Sequence, residues 1–195
     1  VANVSRKGFW PLKYLNGTAW NGQANRYVVL TAQGTAIGVG DLVKLGTTAG
    51  VTYPHYHSVL HFGAATSDVV LGVVVGFGPD ASFSRFVPQT NVFAAAATGE
   101  RIVMVMHDPS FLLVGQCAAA VAAAAICLDA PVAAATPSTT TGMSAQEIGT
   151  PAALATSPLK IIGYLDTPDN ELNAANNKLI VKMNAQAYSA GVLGV

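Results

Sequence analysis

Apolar positions in this chain gather in short runs broken by Gly, Pro, Asn and Asp, and nowhere do they recur at the 3.6-residue period of an amphipathic helix. The densest run is Val69–Phe77, VVLGVVVGF, with five valines and no polar side chain. β-Branched residues at this density favour extended backbone. The run is too short for a membrane-spanning helix, which needs roughly 20 apolar residues. It shows no clean two-residue alternation, so both faces of the predicted strand should be covered. Gly72 and Gly76 would let it bend or let another backbone come close.

Further strands are predicted around Tyr27–Gln33, Ala36–Leu45, Ser58–Phe62, Glu100–Met106, Phe111–Val114, Leu159–Leu165 and Lys178–Met183. His107-Asp108-Pro109-Ser110 separates two apolar runs and reads as a hairpin turn. Partial alternation at Ile180–Met183 suggests a sheet edge. The alanine-rich stretch 117–136 has high local helix propensity but no apolar stripe to dock a helix, which leaves its conformation open. About eight short strands and at most one short helix, without a βαβα pattern, give an all-β fold. The expectation is a compact β-barrel or β-sandwich body. Residues 1–27 read as an extended irregular arm and 28–195 as a single β-rich domain, with 117–150 as a variable loop region.

Composition changes this picture in one direction. Charged residues make up only 10% of the 195, with ten basic and ten acidic side chains, against about 25% in an ordinary soluble domain. A neutral chain lacks the electrostatic footprint of a nucleic-acid binder. A surface so poor in charge is expected where other protein subunits cover it. Cys117 and Cys127 do not form a disulfide framework and are expected as free thiols. No signal-peptide pattern is visible, and the Val1-Ala2 start suits removal of an initiator Met.

Candidate chemistry is sparse. Gly76-Phe77-Gly78-Pro79-Asp80-Ala81 fits a dinucleotide fingerprint on paper, but no helix pattern follows to receive the pyrophosphate. His55 and His57, with His61 in the same parity, have a metal-ligand spacing. Pro54 argues for a turn there, and exposed or interfacial histidines are the alternative. The His107–Ser110 turn contains the residue types of a hydrolytic triad, but adjacent residues cannot converge as one. Asp166, Asp169 and Glu171 offer oxygen ligands without EF-hand spacing, so a solvated turn is the reading there. Neither an enzyme nor a cofactor or metal site is expected.

Three segments carry a resemblance. GFWPLKYLNGTAWNGQANRYVV (8–29), GTAIGVGDLVKL with VVLGVVVGF (34–45 and 69–77), and PLKIIGYLDTPDNELNAANNKLIVKMN (158–184) together resemble the head decoration, or cement, proteins of tailed bacteriophages. The match covers about a third of the chain; its most specific parts are Asn21–Tyr27 and Pro168–Glu171. The stretch 117–136 is richer in alanine than that family leads one to expect.

The resemblance implies a structural virion protein made in the host cytoplasm and located on the outer capsid surface. It would bind the major capsid protein, often as a homotrimer, and stabilise the assembled shell, with no nucleic-acid or membrane partner. The expected contact residues are the basic and aromatic side chains of the N-terminal segment: Arg6, Lys7, Phe9, Trp10, Lys13, Tyr14 and Trp20. Competing readings are a head–tail connector component or a spike-like carbohydrate-binding component.

Overall fold

The structure, a computed structural model, describes residues 3, 7–63, 68–80, 92–93, 99–153 and 157–189. Arg6 and the predicted loop beyond Asp80, up to residue 91, lie outside the described residues. Among the described residues fourteen strands form three sheets. In the first, β2 (Asn25–Val29), β5 (His57–His61), β4 (Leu42–Ala49), β6 (Gly72–Asp80) and β8 (Arg101–Met106) close into a five-stranded barrel in that spatial order. Two short strands, β3 (Ile37–Gly38) and β7 (Val92–Phe93), pair beside it.

The second large sheet has seven strands. It runs β10 (Asp129–Ala130), β13 (Leu159–Tyr164), β14 (Asn177–Met183), β9 (Phe111–Cys117), β12 (Glu147–Ile148) and β11 (Val132–Ala133). β1 (Trp10–Tyr14) also pairs with β9, antiparallel. The all-β expectation holds, and the fold contains both a barrel and an open sheet.

The predicted central strand is found as β6. Its side chains explain why it lacks alternation: Val74 and Phe77 point into the barrel core with Val43, Val59 and Val105. Val73 joins Leu42, Phe62 and Met106 in a second core between the barrel wall and the open sheet. Both faces are therefore dry, and each fully buried Val or Phe contributes about 1.5–3 kcal/mol. β9 is buried at all seven positions as well, because it lies at the middle of the open sheet.

Three sequence expectations change, and one open point is settled. Residues 101–106 and 111–117 do not form a hairpin: β8 belongs to the barrel and β9 to the open sheet, so the His107–Ser110 turn carries the chain from one to the other. A local turn signal cannot show whether the flanking strands pair with each other. β14 is central rather than an edge, paired with β13 on one side and β9 on the other. The N-terminal segment is not irregular throughout, since β1 is part of the open sheet and β2 begins at Asn25. The alanine-rich stretch, whose conformation the sequence left open, is largely irregular, with a 3-10 turn at Ala123–Ala125 and the short strands β10 and β11.

Candidate functional site

The N-terminal candidates separate into an inner and an outer set. Phe9 is 2% exposed and packs in the second core, where Gly115 leaves room for its ring. It is a core residue of its own chain and offers no outer contact. Trp10 and Tyr14 are half-buried on β1, and Lys13 between them is exposed. Tyr14 and Trp20 pack edge-on against Phe111, with centroids 4.7 and 6.4 Å away. Lys7 is exposed and pairs with Glu147 at 3.5 Å. Lys7, Trp10, Lys13, Tyr14 and Trp20 thus belong to the β1 segment and the turn after it, anchored on β9.

Beside this segment lies an open cleft of about 660 Å³, lined among others by Tyr14, Gln23, Asn25, His107, Asp108 and Tyr188. Three of these side chains, Asn25, His107 and Tyr188, are held by one hydrogen-bonded chain through Tyr27. Asn25 Nδ2 lies 3.0 Å from His107 Nε2, His107 Nδ1 lies 2.6 Å from Tyr27 Oη, and Tyr27 Oη lies 3.2 Å from Tyr188 Oη. With the Asn25 amide donating to Nε2, the ring proton sits on Nδ1 and goes to Tyr27. The Tyr27 hydroxyl proton then goes to Tyr188. Burial lowers the His107 pKa, against the pull of the neighbouring Asp108 charge, which keeps the ring neutral. Burial, with Tyr188 adding to it, raises the Tyr27 phenol far out of reach of titration. Asp108 Oδ1 accepts from the backbone amide and hydroxyl of Ser110, at 2.7 and 2.5 Å. The triad-like run is therefore a turn whose histidine and aspartate serve different partners.

A second polar cluster lies inside the molecule. Asp41 is fully buried, and its Oδ2 accepts from the Gly38 amide at 2.7 Å. Burial raises its carboxyl to about 7, while the Ser144 hydroxyl and the Gly38 amide pull the other way. His61 Nε2 stands 3.7 Å away and 3.3 Å from Gln146 Nε2. Gln146 also donates to Phe62 O and accepts from the Leu42 amide. Burial lowers the His61 pKa. These contacts tie β4, β5 and the segment before β12 together.

The histidine spacing does not make a metal centre here. His57 and His61 are the two ends of β5, but one is exposed and the other buried, and His55 sits in the turn before the strand. Among the described residues no group of three or more His, Cys, Asp or Glu side chains could hold a metal ion. Gly76–Asp80 is strand and not a phosphate loop, since β6 runs through Asp80 and pairs it with Arg101. Cys117 is buried and Cys127 exposed, both as free thiols. Among the described residues no helix is long and apolar enough to cross a membrane.

Sequence reasoning missed Asn25, Tyr27, Gln186 and Tyr188. Tyr188 comes from a segment without strand pattern, and only the tertiary pairing of Ala185 and Ala187 with Val70 brings it to the cleft. Of this cleft, the sequence singled out the His107 turn and Tyr14. Compared with protein-family models, curated proteins and solved structures, the chain matches none of them.

Proposed function

We propose that this chain is a structural virion protein that binds the assembled capsid of a tailed bacteriophage and stabilises it as a decoration protein. The observation that carries the reading is how few charges the chain has and how many of them pair within it. Lys7, Lys44, Lys160 and Lys178 each pair with an acidic side chain of the same chain. Asp41 and Glu100 are buried and accept from backbone amides. With ten basic and ten acidic side chains in 195 residues the exterior is poor in charge, and charge-depleted surface is the composition of interface cores. The sequence resemblance supplies the partner: the major capsid protein, with the chain acting as a homotrimer on the outer shell.

The contact surface in this reading is the β1 segment and its turn, with Trp10, Tyr14 and Trp20 as aromatic anchors and Lys7 and Lys13 meeting acidic capsid surface. Arg6 would extend it, and Phe9 drops out because it is interior. A protein that binds the lattice and not free subunits stabilises the shell by mass action, and many copies act together.

The test is to mix the purified full-length chain with expanded heads and with free capsid subunits, and to count bound copies. The reading expects stoichiometric binding to heads only, in trimeric clusters, and loss of occupancy in a Trp10→Ala, Lys13→Glu double variant that keeps the wild-type circular dichroism. Binding of a few copies at one vertex would assign a connector role instead. Absence of binding to any head would overturn the proposal.

A further inference from the structure

Tyr188 is half-exposed, at 54%, and is held at both its backbone and its hydroxyl end. Its backbone amide donates to Gln186 Oε1 at 2.7 Å. The buried Gln186 in turn donates through Nε2 to Leu71 O and His107 O, at 2.8 and 2.7 Å. The flanking Ala185 and Ala187 bond to Val70 through the backbone. At its far end the Tyr188 hydroxyl meets Tyr27, and its ring stands edge-on to His107 at 5.1 Å. An aromatic ring clamped at both ends, with part of its surface left in solvent, offers a preorganised recognition surface.

The rest of the cleft fits one chemistry. Its described lining includes the planar amides of Asn25 and Gln23 and one carboxylate, Asp108, but no lysine or arginine. Asn25 is fixed by His107 through Nδ2, which leaves Oδ1 free to accept, and Ser110 occupies Asp108 Oδ1, which leaves Oδ2. Met106 and Pro109 supply apolar wall. Aromatic surface set beside fixed acceptors and amides, without a cation, suits a ligand that has an apolar face and a rim of hydroxyls. An anionic ligand would find no counter-charge there.

We propose that this cleft is a binding subsite for a neutral carbohydrate, with the sugar ring on Tyr188 and its hydroxyls on Asn25, Gln23 and Asp108. The assignment does not depend on capsid binding and can fail or hold separately from it.

The experiment is a titration of the isotopically labelled full-length chain with methyl glycosides of glucose, mannose and galactose, read by amide chemical shifts. Glucuronic acid and glycerol serve as the charged and ring-free controls. The expected result is saturable, millimolar-range binding of at least one glycoside. Shifts should concentrate at Asn25, His107, Asp108 and Tyr188.

Tyr188→Ala and Asp108→Asn should each weaken that binding about tenfold or more, while Tyr188→Phe, which keeps the ring, should retain most of it. Asp108→Asn keeps an acceptor for Ser110, so its loss can be read in a folded chain. Three results would overturn the proposal: no saturable shift with any glycoside, equal response to glycerol, or tighter binding of the charged sugar. Binding that maps elsewhere and ignores both variants would overturn it as well.

Discussion

Gly72 lies hard against the backbone of β8. A Cβ placed there would stand 2.1 Å from the Met106 carbonyl oxygen, which is backbone and cannot step aside. Gly76, in the same strand, has nothing within 4 Å of that position and lies at a register shift against β8. Gly72→Ala should therefore cost about 3 kcal/mol or more, or prevent folding. Gly76→Ala should cost about 1 kcal/mol or less. Urea denaturation of the two variants checks this, and equal losses would show that the close approach is not what Gly72 provides. The sequence marked both glycines as special but could not tell a close approach from a bulge, because that difference depends on the neighbouring strand.

Asp41 makes a residue-scale prediction about pH. Its carboxyl is raised from 3.8 to about 7 in the folded chain, so between these values the folded state holds a proton that the unfolded state has lost. Stability from this group is fully present below about pH 4 and falls as pH rises towards 7. His61 acts with the opposite sign: its pKa is lowered from 6.5, so its burial costs stability as pH falls through that value. Asp41→Asn removes the first dependence and leaves the second. The variant should melt close to wild type below about pH 4 and at least about 3 °C above it near pH 8. A difference that does not change with pH would contradict the buried-carboxyl account.

At the scale of elements, the loop Gly50–Tyr53 rests on one side chain. Glu100 is 5% exposed, and its carboxylate accepts from the amides of Val51, Thr52 and Tyr53 at 2.6, 2.8 and 3.3 Å. Hydrogen bonds to a charged group contribute roughly 1.5–3 kcal/mol. Glu100→Ala should lose about 2 kcal/mol or more and speed hydrogen exchange at those three amides before others in the barrel. Val51, 89% exposed at the same loop, should tolerate replacement by Ser within about 0.5 kcal/mol.

β1 gives the complementary element-scale prediction. Removing residues 1–14 would delete a strand of the open sheet together with Phe9, and Phe9→Ala alone should cost about 3–5 kcal/mol. Loss of capsid occupancy after such a deletion would report unfolding, which is why the surface variant at Trp10 and Lys13 is the cleaner test. Composition made the N-terminal aromatics stand out, but aromatics anchoring a strand and aromatics meeting a partner look alike in a sequence. Only the pairing of β1 with β9 separates Phe9 from Trp10 and Tyr14.

At the scale of the molecule, the two large sheets share their hydrophobic material. Leu42, Phe62, Val73 and Met106 come from the barrel strands or their borders, yet they complete the core beneath the open sheet. Neither sheet can expose that face without cost, so the chain should unfold in one transition. Tryptophan fluorescence reads the open-sheet side, where Trp10 and Trp20 sit, and hydrogen exchange at Val29 and Val105 reads the barrel. Coincident midpoints are expected, and separated ones would show two independent units. The period of the apolar runs made the fold class legible, because it depends on local chain geometry. The division into barrel and open sheet was not legible, since it depends on which strands pair across the His107 turn.

Asn3 carries a mechanical consequence. It is 6% exposed; its Nδ2 donates to Glu171 O and Ala175 O, and its Oδ1 accepts from the Glu171 amide at 2.7 Å. A pull applied through the residues before it is delivered first to the 171–175 turn, and β1 receives the load only afterwards. Three hydrogen bonds on one planar amide share that load in parallel, so the clasp yields in a single step. In a single-molecule stretching experiment, Asn3→Ala should erase an early force peak and leave the main rupture unchanged.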